Sequence, residues 1–147
     1  MFEGYTLGVI HQLVHYLLVP VLIGLGLALT LIVWELGSML SEKFGSTKAL
    51  LEQSESKYTA YVLKKIDRLD ILARSGPILG LMGTLIPLGP GLTAMSAGDL
   101  NQLSTAISIA FDTTVVGLLV GLVAYILGKL RRRHFEAVYD YWAANNA

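Results

Sequence analysis

Three long apolar runs divide the chain. Leu13–Trp34 contains no Asp, Glu, Lys or Arg, Ser75–Gly98 contains none, and Asn101–Gly128 contains only Asp112. As a helix, each is long enough to cross a hydrocarbon core, which takes roughly 20 apolar residues. A water-soluble fold of 147 residues would not carry three such runs. The pattern therefore predicts an all-α membrane protein with spans at about residues 13–36, 75–95 and 101–128. Between the first two spans the composition turns polar and charged. There Ser46-Thr47 is placed to cap a short helix reaching about Ala73, with Leu51, Tyr58, Val62, Ile66 and Leu69 on one stripe at helical spacing. The third span should continue through Arg131–Arg133 as a helix ending near Tyr141-Trp142. No internal repeat or low-complexity tract interrupts the chain, and residues 1–147 read as one domain.

Glycine and proline punctuate the spans. The second contains Pro77, Pro87 and Pro90 among several glycines. Proline removes a backbone donor and clashes with the preceding turn, and in lipid the freed carbonyls need protein or water as partners. This span is expected to lie inside an assembly and to kink or end near Pro87–Pro90, with Asp99 and Asn101 capping the return. The first span carries Pro20, Gly24 and Gly26, with Trp34 as an interfacial anchor at its end.

Charge adds an orientation. All eleven Lys and Arg residues lie either between spans one and two or after span three. Basic residues are retained on the cytoplasmic side, which predicts the N-terminus outside, residues 37–74 inside, the turn near Asp99 outside and residues 129–147 inside. The expected location is the cytoplasmic membrane of the cell. The first run is not expected to be a secretory signal, because Met1–Gln12 lacks a positive flank and the apolar stretch is too long. The chain has no cysteine, so disulfides and thiolate metal sites are excluded. His11 and His15 have i,i+4 spacing but lack a third metal ligand and read as interfacial histidines. Arg131-Arg132-Arg133-His134 reads as a stop-transfer cluster against anionic lipid. No nucleophile–base pair, phosphate loop or dinucleotide fingerprint is present, so neither an enzyme nor a nucleic-acid binder is expected, and no cofactor is implied.

The candidate chemistry lies at the membrane midplane. At 1.5 Å per residue, Thr84 is roughly 15 Å beyond Arg74, and Asp112 and Thr114 are roughly 16–20 Å from Asn101. Two segments thus deliver polar groups to one layer. A carboxylate in a membrane helix costs at least ~2.5–3.5 kcal/mol and usually faces protein or a water path. Asp112 continues a polar stripe through Ser108, Thr105 and Asn101 toward the outer end. Thr114 is about 200° around the helix from Asp112 and shares its face with Ala110, Gly117 and Gly121. Gly80, Gly83, Gly117 and Gly121 read as close-packing positions. Each hydroxyl can also be read as bonding the carbonyl one turn back.

Gly80-Leu81-Met82-Gly83-Thr84 and Thr114-Val115-Val116-Gly117-Leu118, in this order on the second and third of three spans, resemble the MotA/TolQ/ExbB proton-channel family. The resemblance implies a homopentamer whose second and third spans line a central pore. That pore would hold a single-span ExbD/TolR/MotB-like partner with a membrane Asp, and H⁺ or Na⁺ flow would drive rotation. Thr84 and Thr114 match the family's two pore threonines, and Thr113, Asp112, Ser108 and Thr105 are expected to extend the ion pathway. Two departures stand out. The ExbB/TolQ branch carries Glu where this chain has Ile109, a position Asp112 is placed to replace one turn deeper, and residues 37–74 are shorter than the corresponding part of flagellar stators. The competing reading is a non-conducting membrane scaffold in which Asp112 is paired internally.

Overall fold

The computed structural model describes residues 2–44 and 55–146. They form three helices: α1 (Phe2–Phe44), α2 (Glu55–Ser96) and α3 (Leu100–Asn146). At 1.5 Å per residue each is roughly 60–70 Å long, about twice a hydrocarbon core. All three are long and apolar enough to cross a membrane, over Gln12–Leu40, Thr59–Ser96 and Leu100–Tyr141. Only 22%, 33% and 33% of these segments' most apolar windows are buried inside the chain, which leaves most of their apolar surface for lipid or other chains.

The helix expected between spans one and two is not a separate element. Its described part, from Glu55, runs unbroken into the second span and on to Ser96, through all three prolines. Of the two outcomes expected near Pro87–Pro90, a kink or an end, the helix does not end there. The residue before a proline is normally driven out of the α region by contact between the proline ring and its own N–H and Cβ. Two of the three prolines, Pro77 and Pro90, follow glycines, which have no Cβ to clash. The Ser46-Thr47 cap and Leu51 lie outside the described residues. Further along, Val62, Ile66 and Leu69 are buried on one stripe, and Val62 and Ile66 pack with Phe135 of α3.

The return between α2 and α3 is short and fully specified. Gly98 adopts φ +87°, a left-handed conformation that glycine tolerates best. Its N–H donates to the Met95 carbonyl and that of Asp99 to the Ala94 carbonyl, each at 3.0 Å, the paired bonds of a Schellman ending. Asp99 then caps α3, its Oδ1 accepting from the Gln102 N–H at 3.0 Å. Asn101, the second capping residue expected, lies inside the first turn of α3.

α2 and α3 form an antiparallel hairpin with backbones in contact. Its register sets Gly91 against Ala106, Gly80 against Gly117 and Gly76 against Gly121. Along α3 the buried positions run from Ala106 through Ala110, Thr113, Gly117, Val120, Ala124 and Leu127 to Arg131, in alternating steps of four and three with Gly121 added. The buried face of α1 steps the same way through Val21, Leu25, Ala28, Ile32 and Glu35. A repeat of 3.5 is the seam of a left-handed supercoil, so the chain packs as a membrane coiled coil. The core joins Ala28 and Ile32 of α1 to Leu69 and Leu72 of α2 and to Val120, Ala124 and Leu127 of α3. From Gln12 to Pro20, by contrast, no residue of α1 is buried.

Candidate functional site

The close approach of α2 and α3 determines where the threonines point. A methyl group built on Gly117 would lie 2.6 Å from the Gly76 carbonyl oxygen and 2.7 Å from Gly80 Cα. One on Gly76 would lie 2.8 Å from the Gly117 carbonyl oxygen. The glycine hydrogens therefore point at carbonyls across the seam in a reciprocal pattern suited to Cα–H···O contacts. Thr113 fills the space over Gly83, is only 5% exposed, and donates its hydroxyl to the Ile109 and Ala110 carbonyls at 2.8 and 3.0 Å. Its hydroxyl is thus turned into the seam.

Thr84 and Thr114 each lie one residue past a seam position, Gly83 on α2 and Thr113 on α3. A step of about 100° from two facing seams, in helices of opposite direction, brings both side chains to the same face of the hairpin. The antiparallel register puts them within one turn of each other in height. Both are partly exposed. Thr84 Oγ1 donates to the Leu81 carbonyl at 2.6 Å and Thr114 Oγ1 to the Ala110 carbonyl at 3.0 Å. A hydroxyl whose only proton is engaged presents lone pairs outward. This face consequently offers two acceptors at one level, which suits a cation or hydrated proton.

α1 covers the other face of the hairpin. Gly24 meets Leu79 of α2, and α1's core residues pack on Val120, Ala124 and Leu127, flanked by Val116 and Val123. Asp112 lies about 100° from Thr113 in the opposite sense from Thr114, on the α1 side. It is exposed, as are Ser108 and Thr105. Thr105 Oγ1 donates to the Asn101 carbonyl at 3.0 Å. At that height α1 is in its stretch without buried residues, with Tyr16 73% exposed. The hairpin therefore carries two polar features at the same depth on opposite faces: the threonine pair away from α1, and the Thr105–Ser108–Asp112 stripe beside it.

One charged pair escaped the sequence reading. Arg131 Nη1 donates to Glu35 Oε2 at 2.9 Å, with side chains 7% and 9% exposed. In the sequence Arg131 reads as one of a basic cluster, and Glu35 simply follows the interfacial anchor Trp34. The signal that marks them is the seam spacing, since each continues the four-three pattern of its own helix. Trp34, one step around α1, is 77% exposed. The Asp70–Arg74 pair expected from i,i+4 spacing is present at 3.7 Å on an exposed surface, where it contributes little to stability.

These features define a three-helix membrane protein with a close-packed hairpin and a polar layer at mid-depth. The model of the MotA/TolQ/ExbB proton channel family matches residues 38–144, covering α2, α3 and the segment before them. The chain belongs to that family. Comparison with curated proteins and with solved structures gives no match.

Proposed function

We propose that this chain is the channel-forming subunit of an ion-driven membrane motor and has no enzymatic activity of its own. The observation that carries this reading is the threonine pair. Thr84 and Thr114 stand at one level on the hairpin face that α1 leaves open, in a chain of a proton channel family. Copies of the chain close a ring, most simply of five, with α1 outward and the threonine faces around a central passage. A single-span ExbD/TolR/MotB-like partner occupies the passage, and its carboxylate exchanges H⁺ or Na⁺ past the Thr84 and Thr114 oxygens. The ring lies in the cytoplasmic membrane with the N-terminus out and the C-terminus in, a reading supported by the placement of the basic residues. The stripe through Thr105 and Ser108 to Asp112 opens toward the Gly98 end and supplies the ion from the outer side. It lies across α3 from Thr114, so its ion reaches the passage at a boundary between neighbouring subunits.

A second reading is favoured by one specific observation: the hydroxyls of Thr84, Thr113 and Thr114 all bond their own helix. In that case they serve packing and the protein is a non-conducting scaffold. Thr84→Val and Thr114→Val separate the two, because each removes an oxygen at nearly constant volume. A channel subunit keeps its assembly and loses ion-coupled work in cells. If both variants work as well as the parent chain, the scaffold reading stands.

A further inference from the structure

We infer that Glu35 and Arg131 form a register lock, which holds α1 at one height and one rotational setting against the α2–α3 hairpin. The pair joins residues 96 positions apart, at the end of the bundle remote from Gly98, and both side chains are inside the packed seam. Ser38, one turn further along α1, places its Oγ 3.3 Å from the same Glu35 carboxylate oxygen and 3.0 Å from the Glu35 carbonyl oxygen, which holds the acid in place.

The need for a lock follows from what else could fix α1. Its seam residues Val21, Leu25, Ala28 and Ile32 are all apolar, and apolar burial is non-directional. Sliding α1 by one heptad would bring Val14, Leu18, Val21, Leu25 and Ala28 to the positions now held by Val21 through Glu35, so the seam would stay apolar throughout. The membrane does not forbid the slide either. The α1 span is 29 residues long, whereas roughly 20 suffice, which leaves more than a heptad of slack. Nor does the stretch Gln12–Pro20 resist, since none of its residues is buried. The slide would carry Leu17 to the place where Gly24 meets Leu79, a flexible side chain, but it meets a buried charge at one point. It would set Ala28 against Arg131 and leave that guanidinium buried without the Glu35 carboxylate. A buried charge that loses its partner is strongly penalised, whereas a buried pair adds little over apolar residues of similar size. The pair thus discriminates between registers more than it stabilises the bundle. A buried polar group within an apolar coiled-coil seam has the same effect.

The absence of cysteine allows a direct test. Ala28 and Ala124 belong to one core cluster, so the Ala28→Cys/Ala124→Cys pair reports the native register. The Val21→Cys/Ala124→Cys pair reports the register displaced by a heptad, about 10 Å along the axis. Each is oxidised in membranes from the full chain, and the intrachain disulfide is read as a mobility shift of the monomer. With Glu35 and Arg131 intact, the native pair should form in clear excess. In the Glu35→Leu/Arg131→Leu background the chain should accumulate normally, while the native-to-displaced ratio falls about tenfold or more, equivalent to 1.4 kcal/mol of register preference. Exchanging the charges, Glu35→Arg/Arg131→Glu, should restore the original ratio. An unchanged ratio in the double leucine background would overturn the lock. So would failure of that variant to accumulate, because the pair would then be required for stability. A charge exchange that leaves the ratio low would also count against it.

Discussion

Gly117→Ala tests the hairpin geometry on which the threonine face depends. The added carbon would meet three backbone atoms, the Gly76 oxygen at 2.6 Å, Gly80 Cα at 2.7 Å and Gly80 N at 2.9 Å, and none of them belongs to a side chain that can rotate away. Relief requires α2 and α3 to separate by roughly 0.7 Å, the difference between the 2.6 Å contact with the Gly76 oxygen and an ordinary carbon–oxygen approach of about 3.3 Å. Overpacking of this kind costs about 1–3 kcal/mol. Separation also weakens the reciprocal Cα–H···O contacts, each contributing about 0.5–1 kcal/mol. Against this, replacing glycine inside a helix recovers about 1 kcal/mol. The net destabilisation is about 1–4 kcal/mol, or roughly 5- to 700-fold in the folded-to-unfolded ratio. Titration of the purified protein with SDS in mixed micelles, followed by tryptophan fluorescence, measures it. Gly26→Ala and Gly37→Ala are internal controls, because nothing lies within 4 Å of a carbon added at either; both should leave the midpoint unchanged or raise it. A Gly117→Ala midpoint equal to that of the controls would refute the contact between the helices and, with it, the shared face of Thr84 and Thr114.

Three further outcomes follow from the proposed arrangement. Cysteine in place of Asp99 should react with impermeant thiol reagents added outside intact cells, and cysteine in place of Lys57 only after permeabilisation; the reverse pattern would overturn the orientation. Native mass spectrometry from mild detergent should show a closed ring, with five copies the leading species, since the exposed polar stripe of α3 is not covered within one chain; a stable monomer would contradict it. Asp112→Asn, which keeps size and hydrogen bonding but removes the titratable charge, should preserve the ring and abolish coupling of ion flow to work, whereas wild-type coupling in that variant would make Asp112 structural.

Much of the architecture was legible because bilayer physics is coarse. Twenty apolar residues in a row admit few interpretations: Leu13–Trp34 and Asn101–Gly128 each fall within one helix of the structure, and Ser75–Gly98 runs two residues past the end of α2 at Ser96. Asp99 was legible as a cap from residue type and position alone. The continuity of α2 was not: Gly76 and Gly89 ease the clash before Pro77 and Pro90, but α2 also continues through Pro87, which follows Ile86. The common level of Thr84 and Thr114 was accessible from residue counting. Their common face was not, since it depends on which side of each helix the glycine seam occupies, and that is fixed only when the two helices meet.

The polar residues show where counting fails. Asp112 drew attention as a carboxylate within an apolar run, while Glu35 and Arg131 were passed over as charges near the ends of theirs. In the folded chain the burial is inverted: Asp112 is exposed, and Glu35 and Arg131 lie inside the seam. Sequence position along a span reports distance from bulk water, but the free energy of a charge depends on what faces it. Arg131 can be buried because α1 brings a carboxylate to it at 2.9 Å. Asp112 has no such service from α1, which at that height buries nothing. A carboxylate left on the surface of a membrane helix at mid-depth is tolerated only beside protein or water. Its exposure within one chain is therefore an argument for the ring. In the proposed ring, the face of α3 that bears Asp112 is covered by a neighbouring subunit or opens to a water-filled path.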